Sequence, residues 1–238
     1  MTRERVTDEQ YGKLCRKLEE LKHRVDITTL PFTRTLDAIQ RVIEGKFGDE
    51  IPKAIPAYDT DAQLRLWRKF YKKFFGLSVD MSQMVFEACP AGFGWLIVLA
   101  KGLTNEQIYA KCKDHFPCGE SSFNLNSVIS CRVNIKTYAV WVRDGLEPDE
   151  ELMGQSAEDL SGRINCITLP ERLILELCYW SKTKKHLDLG DLTLCAGSRL
   201  VSGRDVPFVG WQEGKLRVDD HSCILRCGAS LRGRAVVA

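Results

Sequence analysis

Apolar side chains recur at intervals of three and four residues in five stretches of the chain, and in short unbroken or alternating runs between them. The first kind of spacing predicts amphipathic helices and the second predicts strands. Tyr11, Leu14, Cys15, Leu18, Leu21 and Val25 form the first helical stripe. Four helices open on a Thr followed three residues later by Glu or Gln: Thr7 with Gln10, Thr60 with Gln63, Thr104 with Gln107 and Thr168 with Glu171. In that arrangement each side chain satisfies a backbone donor that the helix leaves unpaired. Pro170 adds a first-turn signal to the last of them. A fifth helix is expected from Thr33 to Glu44, stopped by Gly45. Strands are expected at Trp95–Leu99, Tyr138–Arg143, Thr193–Ala196, Phe208–Trp211, Leu216–Val218 and Ala235–Val237. WLIVLAKGLTNEQ and YAVWVRDGLEPDE echo each other, each a strand followed by Gly-Leu and an acidic turn. Gly45 to Asp59, with two glycines and two prolines, reads as a linker. The expectation is an α+β chain, with an N-terminal helical region over residues 1–88 and a mixed domain over 89–238 carrying a small antiparallel sheet at its end.

Composition narrows the classes of function. Of 238 residues, 44% are hydrophobic and 28% charged, enough for a sizeable core without staples. With 34 basic and 32 acidic residues the net charge is close to zero, so any nucleic-acid function has to come from a local patch. The opening MTRERVTDEQ runs into a charged helix without an apolar leader, and no window suits a membrane span. The ten cysteines are therefore expected as reduced thiols in a cytoplasmic protein, several of them packed as small hydrophobes.

Catalytic motifs are absent: there is no G-x-S-x-G, Walker A loop, dinucleotide fingerprint or H-E-x-x-H. Cys112-x2-His115-x2-Cys118 and His221-x-Cys223-x3-Cys227 each offer three metal ligands where zinc takes four, and Cys112 falls on an apolar helix face. Core thiols are the expectation, with no metal and no cofactor. The run RLWRKFYKKFF places Arg65, Arg68, Lys69, Lys72 and Lys73 on one helix face and Trp67, Phe70, Tyr71 and Phe74 on the other. A solvated basic face over a buried aromatic one is the expected reading, with a nucleic-acid module over 65–73 as the alternative.

The tail carries a resemblance. CAGSRLVSGRDVPFVGWQEGKLRV, then DDHSCILRCGAS, then LRGRAVV resembles the variable target proteins of diversity-generating retroelements. ITLPERLILEL resembles the helix before the sheet in those proteins and in formylglycine-generating enzymes, and LPFTRTLDAIQ resembles a segment that recurs in them. The resemblance implies a C-type-lectin-like domain, a small antiparallel sheet with two flanking helices, and a hypervariable segment over 196–238. Gly197, Ser198, Arg199, Val206, Pro207, Val209, Trp211, Leu216, Val218, Leu231, Arg232, Arg234, Ala235 and Val236 match its framework positions. The interleaved Leu200, Ser202, Arg204, Phe208, Gly210, Gln212, Arg217, Asp219, Asp220, His221, Cys223, Ile224, Leu225, Arg226, Gly228 and Ser230 would face the ligand. Asp220 stands where similar tails carry an aromatic residue, which removes one anchor from the surface.

The residues alone point the same way. Phe208, Gly210 and Gln212 alternate with Val209 and Trp211, the period of a sheet with one wet face. The run Asp219–Ser230 fits neither helix nor strand, as a binding loop on a scaffold would not. The resemblance implies mutagenesis at adenines, which from Asn codons cannot reach Lys, Glu, Gln, Met or Trp, and none of them occurs in that run. The expected function is ligand binding, of a protein or other surface ligand, and not catalysis. An oxidase of the formylglycine-generating type, using Cys223 and Cys227, is the enzymatic alternative, although their spacing is one residue short of the family pattern.

Overall fold

The computed structural model describes residues 7–26, 39, 60–82, 84, 87–225, 227–228 and 230–238. It is an α+β structure, and the chain divides into two compact units, Met1–Ile55 and Pro56–Ala238. In the first unit α1 spans Asp8–Asp26, and Tyr11, Leu14 and Leu18 of its apolar stripe are exposed. Of the helix expected over residues 33–44 only Ile39 is described, in helical backbone, and the linker 45–59 lies outside the described residues.

The second unit begins with α2 (Thr60–Phe75), followed by β1 (Trp95–Leu99), α3 (Asn105–Lys113), β2 (Val128–Ser130) and β3 (Tyr138–Val142). Then come α4 (Ala157–Leu160), α5 (Leu169–Thr183), β4 (Leu192–Leu194), β5 (Ser198–Leu200), β6 (Asp205–Gln212), β7 (Lys215–Ser222), β8 (Leu231–Gly233) and β9 (Val236–Val237). The sequence sets its division near residue 88, but α2 packs on β1 within this unit.

Trp67, Phe70, Tyr71 and Phe74 are buried on α2, with the basic residues outside, as the amphipathic pattern predicts. Gln63, expected as the partner of Thr60 in a capping box, turns its side chain to β1. Its Nε2 donates to the Gly94 carbonyl at 3.1 Å and its Oε1 accepts from the Leu96 N–H at 2.7 Å. One turn further, Trp67 Nε1 donates to the Leu96 carbonyl at 2.7 Å. After another turn, Tyr71 OH donates to the Val98 carbonyl at 2.6 Å and accepts from the Ala100 N–H at 3.0 Å. Side chains four apart on a helix advance about 6 Å, close to the advance of about 6.6 Å for two residues of strand. A helix thus satisfies the outer backbone groups of β1, the edge strand of its sheet.

The two echoing segments are the strands β1 and β3, paired antiparallel from Trp95 opposite Val142 to Leu99 opposite Tyr138. β9 adds to β3, so the last residues of the chain close this first sheet. β2 and β5 form a two-stranded ribbon, and β7-β6-β4-β8 form the third sheet. The tail therefore contributes strands to all three sheets, and β8 runs parallel to β4 where an antiparallel arrangement is expected.

α5 lies between the sheets, contacting β1, β6 and α3. Glu171 accepts from the Thr168 N–H at 2.8 Å, while the next amide, that of Leu169, donates to Ser198 Oγ at 2.9 Å, so β5 helps to cap this helix. The box at Thr104 forms in both directions. A second core gathers Leu152, Ala157, Leu160, Cys166, Leu194, Val206, Cys227, Leu231 and Ala235 beneath the third sheet.

Candidate ligand-binding face

The β6–β7 hairpin turns through Glu213 and Gly214, both at positive φ (51° and 76°), the conformation a two-residue turn requires. Its register sets Val209 opposite Val218 and Trp211 opposite Leu216 on one face, and Phe208 opposite Asp219 and Gly210 opposite Arg217 on the other. Val209, Leu216 and Val218 are buried, as their period predicts. Trp211 is half-buried and stacks on His186, ring centroids 3.4 Å apart, instead of entering the core fully.

The opposite face of β6 is not the open surface that strict alternation implies. β6 is an inner strand with β4 beside it, and Val206 joins the second core with Phe208 packed against that core. Gly210 is buried, and a Cβ there would lie 2.3 Å from Leu192 Cδ2 and 3.2 Å from the Asp191 carbonyl oxygen. Gly210 therefore faces packing rather than ligand, and Phe208 is at most a rim residue. The physical reason is that a strand with neighbours on both faces loses the wet face that sequence alternation suggests.

The remaining candidates divide by exposure. Ser202, Arg204, Arg217, Ile224, Leu225, Gly228 and Ser230 are exposed, while Leu200, Gln212, Asp219, Asp220, His221 and Cys223 are half-buried. Arg226 lies outside the described residues. Arg217 donates to Asp219 at 2.8 Å, and Asp220 accepts from Ser122 Oγ at 2.8 Å. His221 Nε2 is buried and has no hydrogen-bond partner.

Two of the loops meet. The Cys223 N–H donates to the Arg204 carbonyl at 2.8 Å, joining the turn after β5 to the loop after β7. Ser202, Arg204, Ile224 and Leu225 thus share one end of the sheet, and Val201 opens the same turn as Ser202. Val201 is 66% exposed, Ile224 67% and Leu225 56%, so each of the two joined loops presents large apolar side chains to solvent. Arg217 is five residues along β7 from Ser222, roughly 17 Å away at strand rise, and belongs to a separate part of the surface.

A buried polar hub underlies this face, and the sequence reading leaves it out. Asp188, fully buried at φ 54°, accepts from Arg172 Nε at 2.9 Å and from Arg234 Nη2 at 2.9 Å, and Thr193 Oγ1 also donates to it. Arg172 also pairs with Glu176 at 2.8 Å, and His186 Nδ1 stands 2.9 Å from Glu176. The Asp188 carbonyl accepts from the Trp211 N–H at 3.0 Å. The visible signal is Arg172 and Glu176 four apart inside LPERLILELCYW, a charge pair in an otherwise apolar helix.

All ten cysteines are unpaired. Cys112 is fully buried beside the Leu173 carbonyl, whereas His115 is exposed and stacks on Trp180. No three His, Cys, Asp or Glu side chains among the described residues are grouped to hold a metal ion. Burial pushes the Cys227 thiol up to about 11, the opposite of what a thiolate nucleophile needs. No described helix is long and apolar enough to cross a membrane. Compared with known proteins, the chain matches no family model, no curated protein and no solved structure.

Proposed function

We propose that this chain is a cytoplasmic, receptor-type binding protein, not an enzyme, with a C-type-lectin-like domain whose C-terminal segment is diversified by a retroelement. One observation supports the reading: none of the framework positions is exposed, whereas seven of the sixteen interleaved positions are, Gly210 being the described interleaved position that is buried. Val206, Val209, Leu216, Val218, Leu231, Arg234, Ala235 and Val236 are buried, while Ser202, Arg204, Arg217, Ile224, Leu225, Gly228 and Ser230 are exposed. A surface that must change without unfolding needs this separation, because exposed substitutions usually cost within about half a kcal/mol. The end that joins residues 201–204 to 223–225 is the ligand-contacting centre. Its apolar side chains favour a protein ligand that offers an apolar patch.

The test is genetic. DNA flanking the gene is expected to hold a near-copy of the segment encoding residues 196–238, differing at adenines, beside a reverse transcriptase gene. Sequencing of related isolates is expected to show replacements at codons 202, 204, 224 and 225 and identity at codons 197, 209 and 234. Replacements spread evenly over both groups would overturn the proposal.

A further inference from the structure

The basic helix has a second feature that the C-terminal face does not use. Between α2 and the C-terminal end of α5 runs a cleft of about 380 Å³. Its floor is apolar, made by Leu66, Phe70 and Phe74, and its rim carries Arg65, Lys69 and Lys73 from α2 and Lys182 from α5. Positions 65, 69 and 73 are four apart, so three cations line one flank while the fourth stands on the other helix. Among the described residues no carboxylate lines the cleft. Lys69, Lys73 and Lys182 are exposed and make no ion pair among the described residues, although the chain as a whole is nearly neutral.

We infer that this cleft binds an acidic amphipathic peptide segment of a partner protein, with apolar side chains on the floor and carboxylates against both rims. Its volume accommodates a few side chains, in the range of small binding sites. An apolar groove edged by like charges is the arrangement that receives an amphipathic helix of opposite charge. Nucleic acid fits less well. Strand binding combines phosphate contacts with ring faces on which bases stack. Here Phe70 and Phe74 are 4% and 8% exposed and stacked on each other, ring centroids 4.9 Å apart, leaving no platform for a base, while the half-buried aliphatic Leu66 is open to an incoming side chain. The cleft shares no residue with the C-terminal face, so this site stands or falls separately from the function proposed above.

A displayed library of random 16-residue peptides, selected on the immobilised full-length chain, tests the inference. Selected peptides are expected to be enriched in Asp and Glu interleaved with Leu, Ile, Phe or Met. Their affinity is expected to fall at least tenfold on Lys69→Glu/Lys73→Glu and on Leu66→Ser, with circular dichroism and melting temperature confirming that both variants fold. Failure to select any peptide, or selected peptides that bind both variants like the parent chain, would overturn it. So would a 20-nucleotide thymidine oligomer that binds more tightly than the peptides, is lost on Lys69→Glu/Lys73→Glu and is indifferent to Leu66→Ser. That outcome would assign the cleft to nucleic acid.

Discussion

Gly197 and Gly210 occupy the same tail but different surroundings, and a single methyl group separates them. A Cβ on Gly197 would lie 2.4 Å from the Cys166 carbonyl oxygen and 3.1 Å from that of Ile167, both backbone atoms that cannot turn aside. A Cβ on Gly210 meets the end of the Leu192 side chain first, which can rotate, and backbone only at 3.2 Å. Overpacking a filled site costs roughly 1–3 kcal/mol. Gly197→Ala is therefore expected near the upper end of that range, Gly210→Ala below it, and exposed Ser202→Ala within about half a kcal/mol. Urea denaturation midpoints check the order, and equal midpoints for all three would contradict the packing of the tail. The comparison also shows why Gly210 is misplaced from sequence. Its position in the alternation is correct, but its neighbour Leu192 belongs to another strand, whose approach no local pattern records.

At the scale of elements, the contact between α2 and β1 is the clearest case of one element completing another. Gln63, Trp67 and Tyr71 repeat at the helical interval and meet backbone groups of β1 at the strand interval. Two backbone amides depend on it separately, Leu96 on Gln63 and Ala100 on Tyr71. Gln63→Ala is expected to accelerate hydrogen exchange at Leu96 while sparing Ala100, and Tyr71→Phe to do the reverse. Each should cost roughly 1–3 kcal/mol, the penalty for leaving a buried group unsatisfied. Exchange measured by NMR at the two amides checks it, and equal acceleration at both in either variant would mean that the helix protects the edge only by covering it. Gln63 belongs to a helix-start signal with Thr60, yet its side chain serves β1, because an amide can serve either a cap or a strand.

Over the whole second unit, Asp188 holds together segments distant in sequence. Its carboxylate receives Arg172 from α5, Thr193 from β4 and Arg234 from the stretch between β8 and β9, and its backbone receives Trp211 from β6. Both arginines are fully buried. Removing one partner of a buried charge set leaves the others uncompensated, at a cost of about 3–5 kcal/mol. Asp188→Asn keeps the shape and tolerates the positive φ, so its loss of stability would report the charge alone. The expected result is a large drop in denaturation midpoint with unchanged slope. A drop below about 1 kcal/mol would mean that the arginines find other partners.

What the residues determined by themselves is local. The amphipathic face of 60–75, the box at Thr104, the Glu171 half of the one at Thr168, the strands around 95–99 and 138–142, and the exposure of Ser202, Arg204, Ile224 and Leu225 follow from spacing and side-chain chemistry within a few positions. What the tertiary structure decided concerns partners far along the chain. Pairing of β3 with β9, the parallel entry of β8, the burial of Gly210 and the meeting of four segments at Asp188 all join positions that no periodicity links. A period reports which face of an element is apolar. It does not report how many other elements will cover that element, and that number separates a wet strand face at Phe208 and Gly210 from a packed one.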